Sequence, residues 1–280
     1  MQSTDSDAGL RYVPAEADRC LVCRILVSLL FALLASRYVC LWLNTFTGLS
    51  LPGTDTIVST FIFTAFSILH GSTVIGWRRI LVFLGISVIV SWSFEEIGVT
   101  TGAIYGAYHY GDRLGLRLGA IPVLIPLAWF MMIYASWIVS HVLMQGTEDP
   151  SSIRGSVARA VIASAAMTAW DTVMDPGMAR SGAWVWEQGG AYFGVPLQNF
   201  VGWMVTTLSV YVVTSLVFRV IPGQSPRSPI GLYTGLPVFA YALVAMDHLL
   251  RPGLPELRIV AAFGICIIAL LAMMRLKWVR

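Results

Sequence analysis

Charge is what this sequence has least of. Only 12% of its 280 residues are Asp, Glu, Lys or Arg, about half of the roughly 25% usual in soluble domains. So few charges cannot cover a water-facing surface when 57% of the chain is hydrophobic. A soluble globular enzyme, a disordered chain and a coiled coil are all excluded. A mean hydropathy of +0.75 leaves a polytopic membrane protein as the class. Lysine is nearly absent, with Lys277 alone against 17 arginines. The net charge of +3 is small and no basic run lies outside the ends of apolar segments, so nucleic acid is not an expected partner. Cysteine is sparse too. Cys20-x-x-Cys23 is a lone pair without a second pair or nearby histidines, so no metal site is expected, and Cys40 and Cys266 read as packing. No Gly-x-Ser-x-Gly elbow, phosphate loop or dinucleotide fingerprint is found.

What is present is a series of apolar runs. A spanning helix needs about 20 apolar residues, and candidates fall at 24–44, 56–76, 79–98, 119–144, 156–175, 198–219, 231–250 and 256–275. The expected fold is all-α, a polytopic transmembrane bundle of about eight helices. Residues 1–23 read as a flexible polar tail, with no signal-peptide pattern, and residues 24–280 as one transmembrane domain. With eight helices, twelve basic residues fall on the side of the termini and five on the other, with Arg37 inside the first helix. The positive-inside rule then puts both termini in the cytoplasm of a multi-pass cell-membrane protein. The acids sort the other way. Nine of the fifteen lie on the outer side, five of them at the ends of helices three, five and seven.

Two of these acid groups carry candidate chemistry. Only fifteen uncharged residues separate Arg79 from Glu95, too few to span, so the third helix is expected to continue through Glu95 and Glu96. Neighbours on a helix point about 100° apart, so only one of the two faces a given pocket. Carboxylates at membrane depth are costly and by default mark function. Asp171 and Asp175 stand one turn apart on one helix face, where two carboxylates repel and a proton is retained. Pro176 is expected to stop that helix.

The loops after these helices are rich in glycine and aromatic residues, among them Tyr105, Tyr108, Trp184, Trp186 and Tyr192. Ring faces stabilise cations. An acid beside an aromatic lining is what alkene protonation requires, a donor to form a carbocation and π-faces to stabilise it. Asn199 either positions a water or caps the sixth helix. His109 lies on the acid side, whereas His70 and His141 fall at the opposite ends of helices two and four and read as interfacial.

At these segments the sequence resembles the carotenoid-biosynthesis membrane protein family of bisanhydrobacterioruberin hydratase and carotenoid 1,2-hydratase type. One stretch is Glu95-x-x-Gly98-Val-x-Thr-Gly102 with Tyr105-Gly106, Tyr108-x-Tyr110, Leu114-Gly115, Pro122 and Trp129. The other is Ala169-Trp170-Asp171-x-Val-x-Asp175-Pro176, Trp184-x-Trp186, Tyr192-Phe-Gly194-Val-Pro196-Leu-x-Asn199 and Gly202-Trp203. The resemblance covers roughly residues 90–205. It implies water addition to the terminal isopropylidene double bond of a linear carotenoid, without a redox cofactor.

The expected catalytic residues are Asp171, Asp175 and Glu95, with Asp171 as proton donor. The expected substrate contacts are Glu96, Tyr105, Tyr108, His109, Trp170, Trp184, Trp186, Tyr192, Asn199 and Trp203. The partners are a hydrophobic carotenoid or polyprenyl substrate and the lipid bilayer. The alternative reading is a membrane terpene cyclase using the same acid-initiated cation. A prenyltransferase would use Asp171-x-x-x-Asp175 to hold Mg and a prenyl diphosphate, but Glu95-Glu96 is a poor second motif. A transporter or carotenoid-binding scaffold would place polar residues nearer the bilayer middle.

Overall fold

Helices form where the apolar runs lie. The computed structural model describes residues 15–51, 55–147, 152–226, 229–251 and 253–277. Its eight helices, among the described residues, are α1 (Ala15–Thr47), α2 (Thr56–Ile75), α3 (Trp77–Thr101), α4 (Leu124–Met144), α5 (Ile153–Ser181), α6 (Leu197–Val220), α7 (Leu236–Leu250) and α8 (Pro255–Arg275). Their ends follow local chemistry. The Asp55 side chain accepts from the Val58 N–H at the start of α2, and Ser152 accepts from Gly155 at the start of α5. Gly102 and Gly182 close α3 and α5 in the left-handed conformation, which glycine adopts without Cβ strain. Six helices, α1 to α4, α6 and α8, are long and apolar enough to cross a bilayer. The protein is an all-α, multi-pass membrane bundle.

α4 sits at the centre, packed against α2, α3, α5 and α7. Phe130, Ile133, Tyr134, Ile138 and Val139 along it are fully buried. α1 lies at the periphery against α2 and α7 and turns most of its apolar side chains outward, as a lipid-facing helix does. Lipid removes the usual hydrophobic drive between helices, so close packing depends on small residues. α5 supplies them, with Gly155, Ala160, Ala163, Ser164 and Ala166 buried along its length.

Several expected boundaries move. Of the tail expected over 1–23, residues 1–14 lie outside the described residues, and from Ala15 the chain is already in the first turns of α1. α4 begins at Leu124 rather than 119. The residues before it form a hairpin of β2 (Arg117–Leu118) and β3 (Ile121–Pro122), turned at Gly119 with φ 65°. α7 begins at Leu236 rather than 231, after two glycines and with a proline in its first turn. α3 does run on through Glu95 and Glu96, to Thr101.

Pro176 does not stop α5, which continues to Ser181. A proline leaves the carbonyl four residues earlier without its helical donor. Here that carbonyl, on Thr172, accepts instead from the Tyr192 hydroxyl at 3.0 Å. His70 also departs from expectation. It is buried rather than interfacial, held by the Tyr134 hydroxyl at 2.8 Å and the Tyr233 carbonyl at 2.9 Å.

Candidate active site

The candidate site assembles at one end of the bundle from α3, α4, α5, α6 and two short strands. β1 (Tyr108–Tyr110) pairs antiparallel with β4 (Trp184–Trp186), with Tyr108 opposite Trp186 and Tyr110 opposite Trp184. Side chains alternate across a strand. All four of these rings therefore face inward and are buried, while His109 and Val185 between them face outward and are exposed. The two loops that follow α3 and α5 are thereby joined into a single aromatic wall.

Glu95 lies against that wall, 4% exposed. Its Oε1 accepts from the Trp129 indole N–H at 2.9 Å, and its Oε2 from the Tyr110 hydroxyl at 2.7 Å and from the Tyr108 hydroxyl. Burial, and behind it the charge of Glu95, holds both phenols well above their ordinary range, so they remain donors. Trp129 stacks on Trp203 with centroids 3.9 Å apart, and Trp170 meets Trp203 edge-on at 5.8 Å. Tyr105 is wedged between α3 and α6, its hydroxyl 2.7 Å from Thr206 Oγ1. A Cβ on either Gly98 or Gly202 would come within 2.6 Å of its ring, so only glycine admits it.

The second group of acids lies on α5. Asp171 is fully buried and Asp175 is 2% exposed. Their carboxyl groups face the same amide nitrogen on α6. The Asn199 amide nitrogen on α6 bridges them, donating to Asp171 Oδ2 at 3.0 Å and to Asp175 Oδ2 at 2.6 Å. Asn199 does not cap α6, since Pro196 occupies the cap position. Asp171 Oδ1 is buried with no donor aimed at it. The side chains that donate to the three acids are Tyr, Trp and Asn, not Arg.

A cavity of about 120 Å³ lies between these groups. Glu95, Asp175 and Asn199 reach it, among rings that include Tyr105, Tyr108, Trp170, Trp184, Trp186 and Trp203. Asp171 stands behind Asp175 and does not line it. Three expected contacts lie elsewhere. Glu96 points away from Glu95 and accepts from the Ala120 N–H at 2.9 Å, holding the β2–β3 hairpin. His109, on the outer face of β1, pairs with Glu187 at 2.6 Å. Tyr192 is spent on the Thr172 carbonyl.

Two residues of the site, Tyr110 and Trp129, were not among the expected contacts. The alternation Tyr108-x-Tyr110 places both phenols on one face once the segment is read as a strand. Trp129 lies 34 positions from Glu95, and no local spacing connects them. Among the described residues no group of three or more His, Cys, Asp or Glu side chains is placed to hold a metal ion.

Comparisons with known proteins bear on this arrangement. The sequence is 29% identical over 119 residues to the bisanhydrobacterioruberin hydratase of Haloarcula japonica, a match covering 42% of this chain and 39% of that protein. No solved structure matches. A family described as carotenoid biosynthesis protein matches residues 55–271, a span that runs from the cap of α2 into α8 and contains every residue of the site. The chain belongs to the carotenoid biosynthesis protein family.

Proposed function

We propose that this protein is a carotenoid hydratase of the cell membrane, a hydro-lyase that adds water to the terminal isopropylidene double bond of a linear carotenoid. The observation that carries the reading is the buried carboxyl pair bridged by Asn199, facing Glu95 across an aromatic cavity. The named relative supports the same chemistry. Two carboxyl groups this close, buried and bridged by an amide rather than a cation, share one proton. Asp175, the member that reaches the cavity, delivers that proton to the less substituted alkene carbon. The tertiary cation left behind lies among tryptophan and tyrosine faces, which stabilise positive charge. Glu95, held by three donors, is built as an acceptor. Its carboxylate balances the cation and takes the surplus proton from the water that attacks it. The sequence is redox-neutral and, as proposed, uses no cofactor.

The cavity accommodates a branched end group, not a whole polyene. The remainder of the chain extends along the bilayer, whose hydrocarbon core is about 30 Å thick. Expression in a lycopene-producing host tests the reading. A product heavier by one or two waters is the expected result. Unchanged lycopene, or a cyclised hydrocarbon of unchanged mass, overturns it.

A further inference from the structure

Hydration needs a water at the cation, and beyond Glu95, Asp175, Asn199 and two threonines the acid cavity is walled by indole, phenol and aliphatic groups. A second cavity, of about 500 Å³, lies beside it between α1, α2, α5, α7 and the start of α8. The two share Thr56, Thr60, Met131, Trp170, Met174 and Met178 as lining, so a single layer of side chains divides them. The second cavity is chemically different. Arg180, Ser181, Arg251 and Arg258 at its mouth are exposed, and Asp247 on its wall pairs with Arg251 at 2.6 Å. A polyene drawn into that mouth would strip water from charged groups, at a cost that water itself does not incur. Three of the six dividing residues are methionines, unbranched and readily repacked. Met174 and Met178 flank Asp175 on α5, so the divider is carried by the helix that carries the acid.

Resting on the hydration reading above, we propose that the second cavity is the antechamber through which water reaches the acid site, with Met131, Met174 and Met178 as its gate. The cation then has two fates. In one, a water oxygen forms the C–O bond, the surplus proton passes to the Glu95 carboxylate, and a tertiary alcohol results. In the other, a C–H bond next to the cation breaks, its proton returns to the carboxyl pair, and an alkene is regenerated. Access of water from the second cavity sets the ratio. In D2O the second branch leaves deuterium in the recovered alkene, so the two are read separately.

The test fills the second cavity without touching the first. Gly177 lines only the second, and a Cβ there meets nothing within 4 Å, so Gly177→Leu adds bulk without a clash at its first carbon. Leu257→Trp adds bulk to the same cavity from α8. Wild type and both variants, as full chains in membranes, are given a linear carotene in D2O. Each deuteron delivered by the carboxyl pair ends in alcohol or in recovered carotene, so both variants are expected to lower the ratio of alcohol to deuterium in recovered carotene about tenfold. Parallel loss of alcohol and deuterium, or wild-type hydration by either variant, overturns the water route. A wild type that neither hydrates nor exchanges overturns the hydration reading itself, and this inference with it.

Discussion

Of the two carboxyl groups on α5, only that of Asp175 reaches the cavity, while Asp171 touches its partner and Asn199 from behind. The two residues are therefore expected to fail differently. Asp175→Asn removes the delivering acid and should lower the hydration rate about 10²- to 10⁴-fold, the usual contribution of a positioned proton donor. Asp171→Asn leaves a donor in place but removes the sharing, so its loss should be smaller and fall on kcat rather than KM. Rates of alcohol formation in membranes decide between them, and a greater loss in Asp171→Asn would reverse the assignment. The i,i+4 spacing of the pair and the extension of α3 through Glu95 were legible in the sequence, because both are properties of a single helix. Which aspartate faces the cavity was not, since that depends on where α6 lies. Nor was the bridge from Asn199, which is 28 positions from Asp171. His109 and Glu96 misled for a related reason. Each neighbours a site residue in sequence, and on a strand or a helix the immediate neighbour points elsewhere.

At the scale of the element, the strand pair β1–β4 and the continuation of α5 past Pro176 are where tertiary structure overrides local signals. Aromatic, glycine-rich loops gave no sign that they would pair. The register follows from Tyr108 and Tyr110 matching Trp186 and Trp184 across the ladder. In the loop after β4, Tyr192 and Val195 pair across a tight turn, with Phe193 at φ 50° and Gly194 at φ 90°. Two positive φ values are the mark of a type I′ turn. A non-glycine residue at such a φ costs energy and persists only when its surroundings enforce it. The turn is fixed in part by the Tyr192 hydroxyl on the Thr172 carbonyl that Pro176 leaves free. This predicts a specific non-additivity. Tyr192→Phe should destabilise the protein by about 1 kcal/mol. In a Pro176→Ala background the restored amide N–H serves the carbonyl, and the same change should cost markedly less. Thermal unfolding of the four proteins in detergent measures the cycle, and additive effects would remove the compensation.

At the scale of the whole molecule, the sparse charges are sorted, and the sorting ties orientation to chemistry. Six of the eight helices have the hydrophobic length that sequence records directly, whereas α7 is short at 15 residues and α5, 29 residues long, is made less apolar by Arg154, Arg159, Asp171, Asp175 and Arg180. The long but charged exception is the helix that holds the acid pair. If the termini are cytoplasmic, as the twelve basic residues on their side imply, then Glu95, the carboxyl pair and the mouth of the second cavity all lie toward the outer face. Water would then reach the cation from outside, and the carotenoid would present one end there. Orientation is testable independently of activity. With Cys20, Cys23, Cys40 and Cys266 replaced by serine, single cysteines at Ser181 and Gly253 mark the acid end. Cysteines at Thr147 and Ser225 mark the other. All four positions lie in or beside the connections between helices. A membrane-impermeant maleimide on intact cells should label the first two, and the second two only after the membrane is broken. The reverse pattern would invert the protein, placing the acids and their water supply on the cytoplasmic side while leaving the proposed chemistry unchanged.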